Sequence, residues 1–451
     1  MSEGWHELSA CAQGDAIGQG EIDPRALAEH YLARIAAHDA GHVIYLRTTP
    51  ERARAEAAAA AARAAAGRRL SRLDGVPISW KDLYDSAGVA TEGGSPLLKG
   101  RVPAEDALVL KRAMRAGLVC LGKTNMVQFA LGGIGTNPAT GTPPAAAMTD
   151  TPRAPGGSSS GAATSCARAL AAAAIGSDTG GSVRIPAAWN GLVGLKTSYG
   201  ALPTEGVLPL SPSLDTVGPL ARTVADAAAL FAVLGTRPTI DLAGAHLGRA
   251  RFLVAESVVW DGADAGVAGA VRAAIARLAD AGAHVESAPV PAFERIHDLM
   301  QRLGGVVTAE GYQCWRHLID SHPDDIDPNV LARFLDGRDM RAADLEAVRA
   351  AMRELTPVLH RQMAGFDALL APTVPIPPPP IAEVAEDRAA YRRLNGLALR
   401  NTRLGNVLPC CALTLPVPAP GLVAGLMAMA PAGADARLLR LGQAIEGALA
   451  D

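Results

Sequence analysis

Residues 176–194 read GSDTGGSVRIPAAWNGLVG, and the apolar run Ala171–Ile175 leads directly into them. An unbroken small-apolar run ending at a glycine fits a short buried strand, and Asp178-Thr179-Gly180-Gly181-Ser182 then fits a glycine-rich turn. Consecutive small residues let the backbone N–H groups of Thr179, Gly180, Gly181 and Ser182 converge on one point without side-chain obstruction. Asp178 and Arg184 flank this turn. They are expected to form an ion pair that pins it, not a pair that steers substrate.

Outward from there, a second glycine-serine segment, PGGSSSG at 155–161, places Ser158 24 residues before Ser182. A helix over 160–170 follows it, and a long ordered loop over 132–157 precedes it. Loops of that length in compact enzymes are usually functional or disordered. Further upstream, GVPISWKD at 75–82 reads as a strand near Val76–Trp80 that delivers Lys81. Asp23-Pro24 caps a helix whose Leu27, Tyr31 and Ile35 share one face. A strand over 43–49, a helix over 51–66 stopped at Gly67, a helix over 106–116 and a strand over 118–122 complete the first half. Short apolar strands alternating with helices predict an α/β fold around a largely parallel sheet. Beyond Asp226 the composition changes. A helix over 267–281 and an acidic loop over 322–327 precede a strand-then-proline segment at 367–380 and a strand over 408–416.

The chain has 451 residues with 42 basic and 45 acidic side chains, a net charge of −3, and no long run of either sign. That balance disfavours nucleic acid or an anionic membrane as the main partner. The N-terminal MSEGWHELSACAQGD lacks a basic region followed by an apolar core, so no secretory signal is expected. The apolar stretch 169–175 is far short of the roughly 20 residues that span a bilayer. Six cysteines are scattered without CxxC spacing. Reduced thiols in a cytoplasmic protein are the expectation, with no structural zinc.

Taken together and in this order, Lys81, the PGGSSSG segment and the 176–194 stretch resemble the amidase signature family of serine hydrolases. The likeness continues through LKTSYG at 195–200, GKTNM at 122–126, SLDTVGP at 213–219 and APT at 371–373. It implies one α/β domain over 1–451, a twisted, mixed central sheet covered by helices on both sides. The core would be 20–235 and 366–451, and 236–365 a divergent helical cap. It also implies a Ser-Ser-Lys triad with Ser182 as nucleophile, Ser158 as bridging serine after a cis peptide, and Lys81 as base. The oxyanion hole would be Thr179, Gly180, Gly181 and Ser182, with no cofactor and no metal.

The chemistry suits those residue types. Amide cleavage near neutral pH needs an activated nucleophile, a pocket for the tetrahedral oxygen and a proton for the departing nitrogen. Lysine serves as base only when neutral, which burial away from carboxylates achieves. A rival reading takes GSSSG at 157–161 as a GxSxG elbow with Ser159 as nucleophile and His360 as base. That elbow needs a strand before it, and residues 149–155 contain two prolines. Two departures from the family pattern, Gln128 in place of the common Glu and the proline-rich stretch 138–155, are expected near the acyl pocket. The function implied is hydrolysis of a small or medium amide, carbamate, urea-type compound or anilide, by a chain that could be a homodimer. The alternative is the glutaminase-like A subunit of a tRNA-dependent amidotransferase complex.

Overall fold

The computed structural model describes residues 4–450; Met1, Ser2 and Glu3 of the stretch read for a leader lie outside the described residues. A single sheet of eleven strands organises the chain: β1 (Tyr45–Thr48), β2 (Pro77–Lys81), β3 (Val119–Thr124), β4 (Ala173–Asp178), β5 (Val193–Lys196), β6 (Thr216–Ala221), β7 (Arg251–Ala255), β8 (His284–Ala288), β9 (Ala368–Pro372), β10 (Cys410–Val417) and β11 (Ala424–Pro431). Their spatial order is β1-β3-β2-β4-β6-β5-β10-β11-β9-β7-β8, within one compact α/β domain.

The sheet is mixed, but it is not largely parallel. Only β3–β2, β2–β4, β9–β7 and β7–β8 pair in parallel. The six other neighbours run antiparallel. Every residue of β2, β3, β4, β6 and β9 is buried. A strand covered on both faces gives the same continuous apolar run in either direction, so periodicity could not report orientation.

The helical cap is also smaller than expected. Residues 251–288 form a strand-helix-strand unit, β7, the helix Ala265–Asp280 and β8, that extends the central sheet in parallel. Helices cover the region only from Pro291–Leu303 onward, through Val306–Ser321, Pro328–Arg338 and Ala342–Gln362. A lone helix between two short strands needs a sheet edge to pair with, which composition does not reveal.

Elsewhere the local signals match the structure closely. Asp23 caps Pro24–His38 by accepting from Arg25 N–H at 2.8 Å, and Leu27, Tyr31 and Ile35 are all buried. The helix Ser160–Ala167 follows the serine loop and packs against β2 and β4. Parallel pairing sets Trp80 beside Ile175, which brings the C-terminal ends of β2 and β4, and hence Lys81 and Ser177, together. No helix of the described residues is long and apolar enough to cross a membrane.

Candidate active site

Lys81 ends β2 with its side chain wholly buried, and its Nζ donates to Ser158 Oγ and to Ser177 Oγ, both at 2.8 Å. Burial pulls the ammonium from 10.5 down to about 7, against the opposing pull of Asp178 and Asp215. No carboxylate touches it. Asp178, the nearer acid in sequence, is committed elsewhere: Arg184 donates to it through Nε at 3.0 Å and Nη2 at 2.9 Å. Both members are fully buried, and Asn406 adds a further bond at 3.0 Å. The expected structural ion pair is therefore present.

The peptide Gly157–Ser158 is cis. The serine loop lies against residues 132–135: Gly157 N–H donates to Gly133 O at 2.8 Å and Gly156 N–H to Ile134 O at 3.0 Å. A Cβ on Gly157 would sit 2.7 Å from Gly132 O, so no other residue fits this approach. Ser159, the rival nucleophile, is buried beside Ser177 and follows no strand. His360 bonds Pro409 O and no serine of the motif.

Ser182 stands at the end of the turn and, with Gly180, lines a cavity of about 1130 Å³. Among the described residues no hydrogen bond joins Ser182 Oγ to Ser158, so the structure connects Lys81 and Ser158 directly and brings Ser182 to the cavity wall. Thr402 Oγ1 donates to Gly180 O at 2.7 Å, clamping the helix Arg388–Val407 onto the turn. Gly181 has φ +136°, and a Cβ there would meet Thr402 Oγ1 at 2.1 Å.

One member leaves the expected oxyanion set. Gly181 N–H donates to Asp178 Oδ1 at 2.8 Å, because the Asp178 carboxylate also collects Val183 and Arg184 N–H and draws the turn around itself. The N–H groups of Thr179, Gly180 and Ser182 make no hydrogen bond among the described residues. Sequence reasoning missed two supporting groups. Ser177 shares Lys81 with Ser158, and Asp215 fixes Thr179 Oγ1 at 2.6 Å while accepting from Leu210 and Ser211 N–H. Strand pairing next to Lys81 was the available signal for Ser177; Asp215 lies in the quoted SLDTVGP stretch.

The cavity's other walls include Ala130–Gly132 and residues of the helices Pro291–Leu303, Val306–Ser321, Pro328–Arg338 and Arg388–Val407. The stretch 138–155 does not line it. Asn125 Nδ2 and Asn190 Oδ1 bond its backbone instead, and Ala154 N–H donates to Pro379 O. Gln128 is buried behind the wall, where its Oε1 accepts from Asp327 N–H at 2.7 Å and tethers the acidic loop to the core.

All six cysteines are free thiols, and among the described residues no group of His, Cys, Asp and Glu is arranged to hold a metal ion.

Residues 26–439 match the Amidase family model, and the chain belongs to this family of hydrolases acting on C–N bonds. It is 37% identical to a 2-amino-5-chloromuconic acid deaminase of Comamonas testosteroni, over 88% of this chain and 86% of that one. It is 35% identical to the A subunit of a glutamyl-tRNA(Gln) amidotransferase from Acidothermus cellulolyticus, covering 96% and 92% respectively. A solved amidase structure superposes with TM-score 0.87 at 32% identity, covering 98% of this chain and all of the other.

Proposed function

We propose that the chain is an amidohydrolase that cleaves a small or medium amide through a serine acyl-enzyme, with Ser182 as nucleophile, Ser158 as proton bridge and Lys81 as base. The observation that carries this reading is the buried Lys81–Ser158 hydrogen bond at 2.8 Å, in surroundings that leave the amine free to lose its proton near pH 7. Neutral Lys81 has one lone pair and two N–H bonds. Donation of one N–H to Ser177 turns the lone pair toward Ser158.

As Ser182 Oγ attacks the carbonyl carbon, its proton passes to Ser158 and the Ser158 proton to Lys81. The N–H groups of Thr179, Gly180 and Ser182 are available for the tetrahedral oxygen. The same chain run backwards delivers the proton to the leaving nitrogen, and water then releases the acyl group. Carbamates, ureas and anilides would be attacked in the same way. The relative that acts on an amino-chloromuconic acid as a deaminase suggests that C–N cleavage in this family extends to acidic substrates. Six free cysteines, five of them buried, suit a reducing, cytoplasmic setting.

A second reading, the A subunit of a tRNA-dependent amidotransferase, draws support from the 35% identity to one such protein over nearly the whole chain. The purified chain alone, offered glutamine, aliphatic amides, anilides and carbamates, separates the two: a free-standing hydrolase turns over with no other protein present. Ser182→Ala is expected to abolish turnover and labelling by a fluorophosphonate, whereas Ser159→Ala retains both. Labelling that persists in Ser182→Ala and is lost in Ser159→Ala would move the nucleophile to Ser159.

A further inference from the structure

The loop 209–215 lies between the nucleophile turn and the cap helices, and two carboxylates in series hold it. Asp215 takes the Thr179 hydroxyl at 2.6 Å on one side and the Leu210 and Ser211 N–H groups on the other. Glu310, on Val306–Ser321, takes the Ser211 hydroxyl at 2.7 Å, the Ser213 hydroxyl at 2.8 Å and the Ser213 N–H at 3.1 Å. Arg349, on Ala342–Gln362, donates to the same carboxylate at 2.8 Å and brings in a second cap helix. Ser211 is the joint: fully buried, it gives its N–H to Asp215 and its hydroxyl to Glu310. An unbroken chain of hydrogen bonds therefore runs from Arg349 through Glu310, Ser211 and Asp215 to Thr179.

A helix that only covers a cavity needs no such chain, because packing suffices. Packing is already close here: a Cβ on Gly311 would meet Leu210 Cδ1 at 3.0 Å, and Trp315 Nε1 donates to Pro209 O at 2.8 Å. A buried carboxylate is costly unless its oxygens are filled. Four donors fill those of Glu310. Burial acts against its charge, but the Ser211 and Ser213 hydroxyls and Arg349 outweigh it and hold Glu310 below the ordinary carboxylate range. Charge-assisted bonds are stronger than neutral ones, and a filled network is rigid. The nucleophile turn is thus held twice. Asp178 gathers Gly181, Val183 and Arg184 N–H from within, and Asp215 fixes Thr179 from the cap side. Leu210 and Val306–Thr308 line the same cavity as Gly180 and Ser182, so the joint sits beside the reacting groups.

We infer that Glu310 is a positioning residue for the oxyanion turn: through Ser211 and Asp215 it makes the cap set the direction of the Thr179 N–H. This rests on the amidohydrolase reading and adds a role for the cap in the chemical step. A misdirected donor is felt only as charge develops on the oxygen, so its loss falls on chemistry and not on binding.

A fluorophosphonate tests this on the whole chain. Ser182 Oγ bonds to phosphorus, the P–F bond breaks with its electron pair leaving as fluoride, and the serine proton passes through Ser158 to Lys81. The phosphoryl oxygen takes the oxyanion position, so kinact reports the turn and KI reports binding. Glu310→Gln is expected to lower kinact about tenfold, the scale of one hydrogen bond, with KI unchanged within about twofold. Ser211→Ala breaks the same joint by deleting one oxygen and shows the same pattern, which covers the case of a Glu310→Gln chain that does not fold. Glu354→Gln removes an exposed ion pair from the helix that carries Arg349 and leaves both constants unchanged.

A double-mutant cycle separates positioning from general loosening. Thr179→Val removes the hydroxyl at the far end of the chain, and in that background Glu310→Gln costs nothing further. In a Thr179→Ser background, where the hydroxyl is kept, Glu310→Gln again costs about tenfold. The inference is overturned if KI alone rises, if the Glu310→Gln and Thr179→Val losses multiply in full, or if Ser211→Ala labels at the wild-type rate. Failure of the amidohydrolase reading looks different: labelling would survive Ser182→Ala in every background.

Discussion

Two buried lysines on neighbouring strands meet opposite fates. Lys81 closes β2 and Lys123 lies on β3, where it pairs with Trp80, so they sit one residue apart across a parallel ladder. Both are withdrawn from solvent. Lys123 has a carboxylate within 3.5 Å, Asp82, and donates to Tyr84 O at 2.5 Å and Thr91 Oγ1 at 2.8 Å. Asp82 in turn holds Arg47 at 2.6 Å. Burial lowers Lys123 to about 8, but Asp82 supports its charge. Lys81 meets only hydroxyl groups, and the acid that could hold its proton, Asp178, is occupied by Arg184. The residue type, the burial and the ladder between the two strands are shared. What separates the proposed base from a structural cation here is whether a carboxylate lies within reach of the amine.

Exchanging each lysine for arginine tests this contrast at its strongest. Lys81→Arg keeps the charge but cannot release a proton, so kcat is expected to fall by about a thousandfold or more. Lys123→Arg should retain kcat within about an order of magnitude, since its role is to hold a loop. Comparable losses in both would erase the distinction.

Removing the acid is next in size. Asp82→Ala leaves the buried Lys123 without its carboxylate, while Arg47 keeps Glu92, and should cost about 3–5 kcal/mol in chemical unfolding. If the comparison holds, the pH profile of the remaining activity stays that of the wild type.

The pH dependence itself follows from Lys81. In the proposed mechanism only the neutral amine can accept the Ser158 proton, so the rate should rise through a limb centred near 7, with about a hundredfold loss two pH units below it. Folding stability moves the same way. The native lysine titrates near 7 and the unfolded one near 10.5, so between these values the unfolded chain binds a proton that the native chain does not. Stability from this group therefore rises with pH across that window. Lys81→Met should flatten the rise in melting temperature between pH 7 and 10; an unchanged slope would show that Lys81 is not depressed.

The smallest effect concerns the second hydroxyl. Ser177→Ala frees one Lys81 N–H and should lower kcat by about tenfold, with fluorophosphonate labelling of Ser182 slowed but not lost. A change in KM alone would mean that Ser177 does not orient the amine.

Much of this site was legible along the chain. Lys81 ends a short strand and the 178–182 turn follows another, signals that act within a few residues, while Ser158 was nominated by the resemblance of its glycine-serine loop. The Asp178–Arg184 pair was legible for the same reason, since six positions across one turn bring the side chains together. The capped helix at Pro24 and the strand read over 408–416, which forms at Cys410–Val417, were also read locally.

What the tertiary structure alone decided depends on groups far apart in sequence. Sheet direction is invisible to a fully buried strand, so six antiparallel pairings replaced a largely parallel expectation. The unit 251–288 joined the sheet because β9 offered it an edge at Phe252, Leu253 and Val254. Asp178 withdrew Gly181 N–H from the oxyanion set because a carboxylate buried among donors recruits every N–H within reach. Arg333 and Arg403 are 70 positions apart and look like ordinary helical surface charges in the sequence; only the packing of their two helices turns both toward one cavity and leaves them without an acid. Local sequence determines backbone conformation because its determinants are steric and near. Which polar groups end up paired is a property of the whole packed chain.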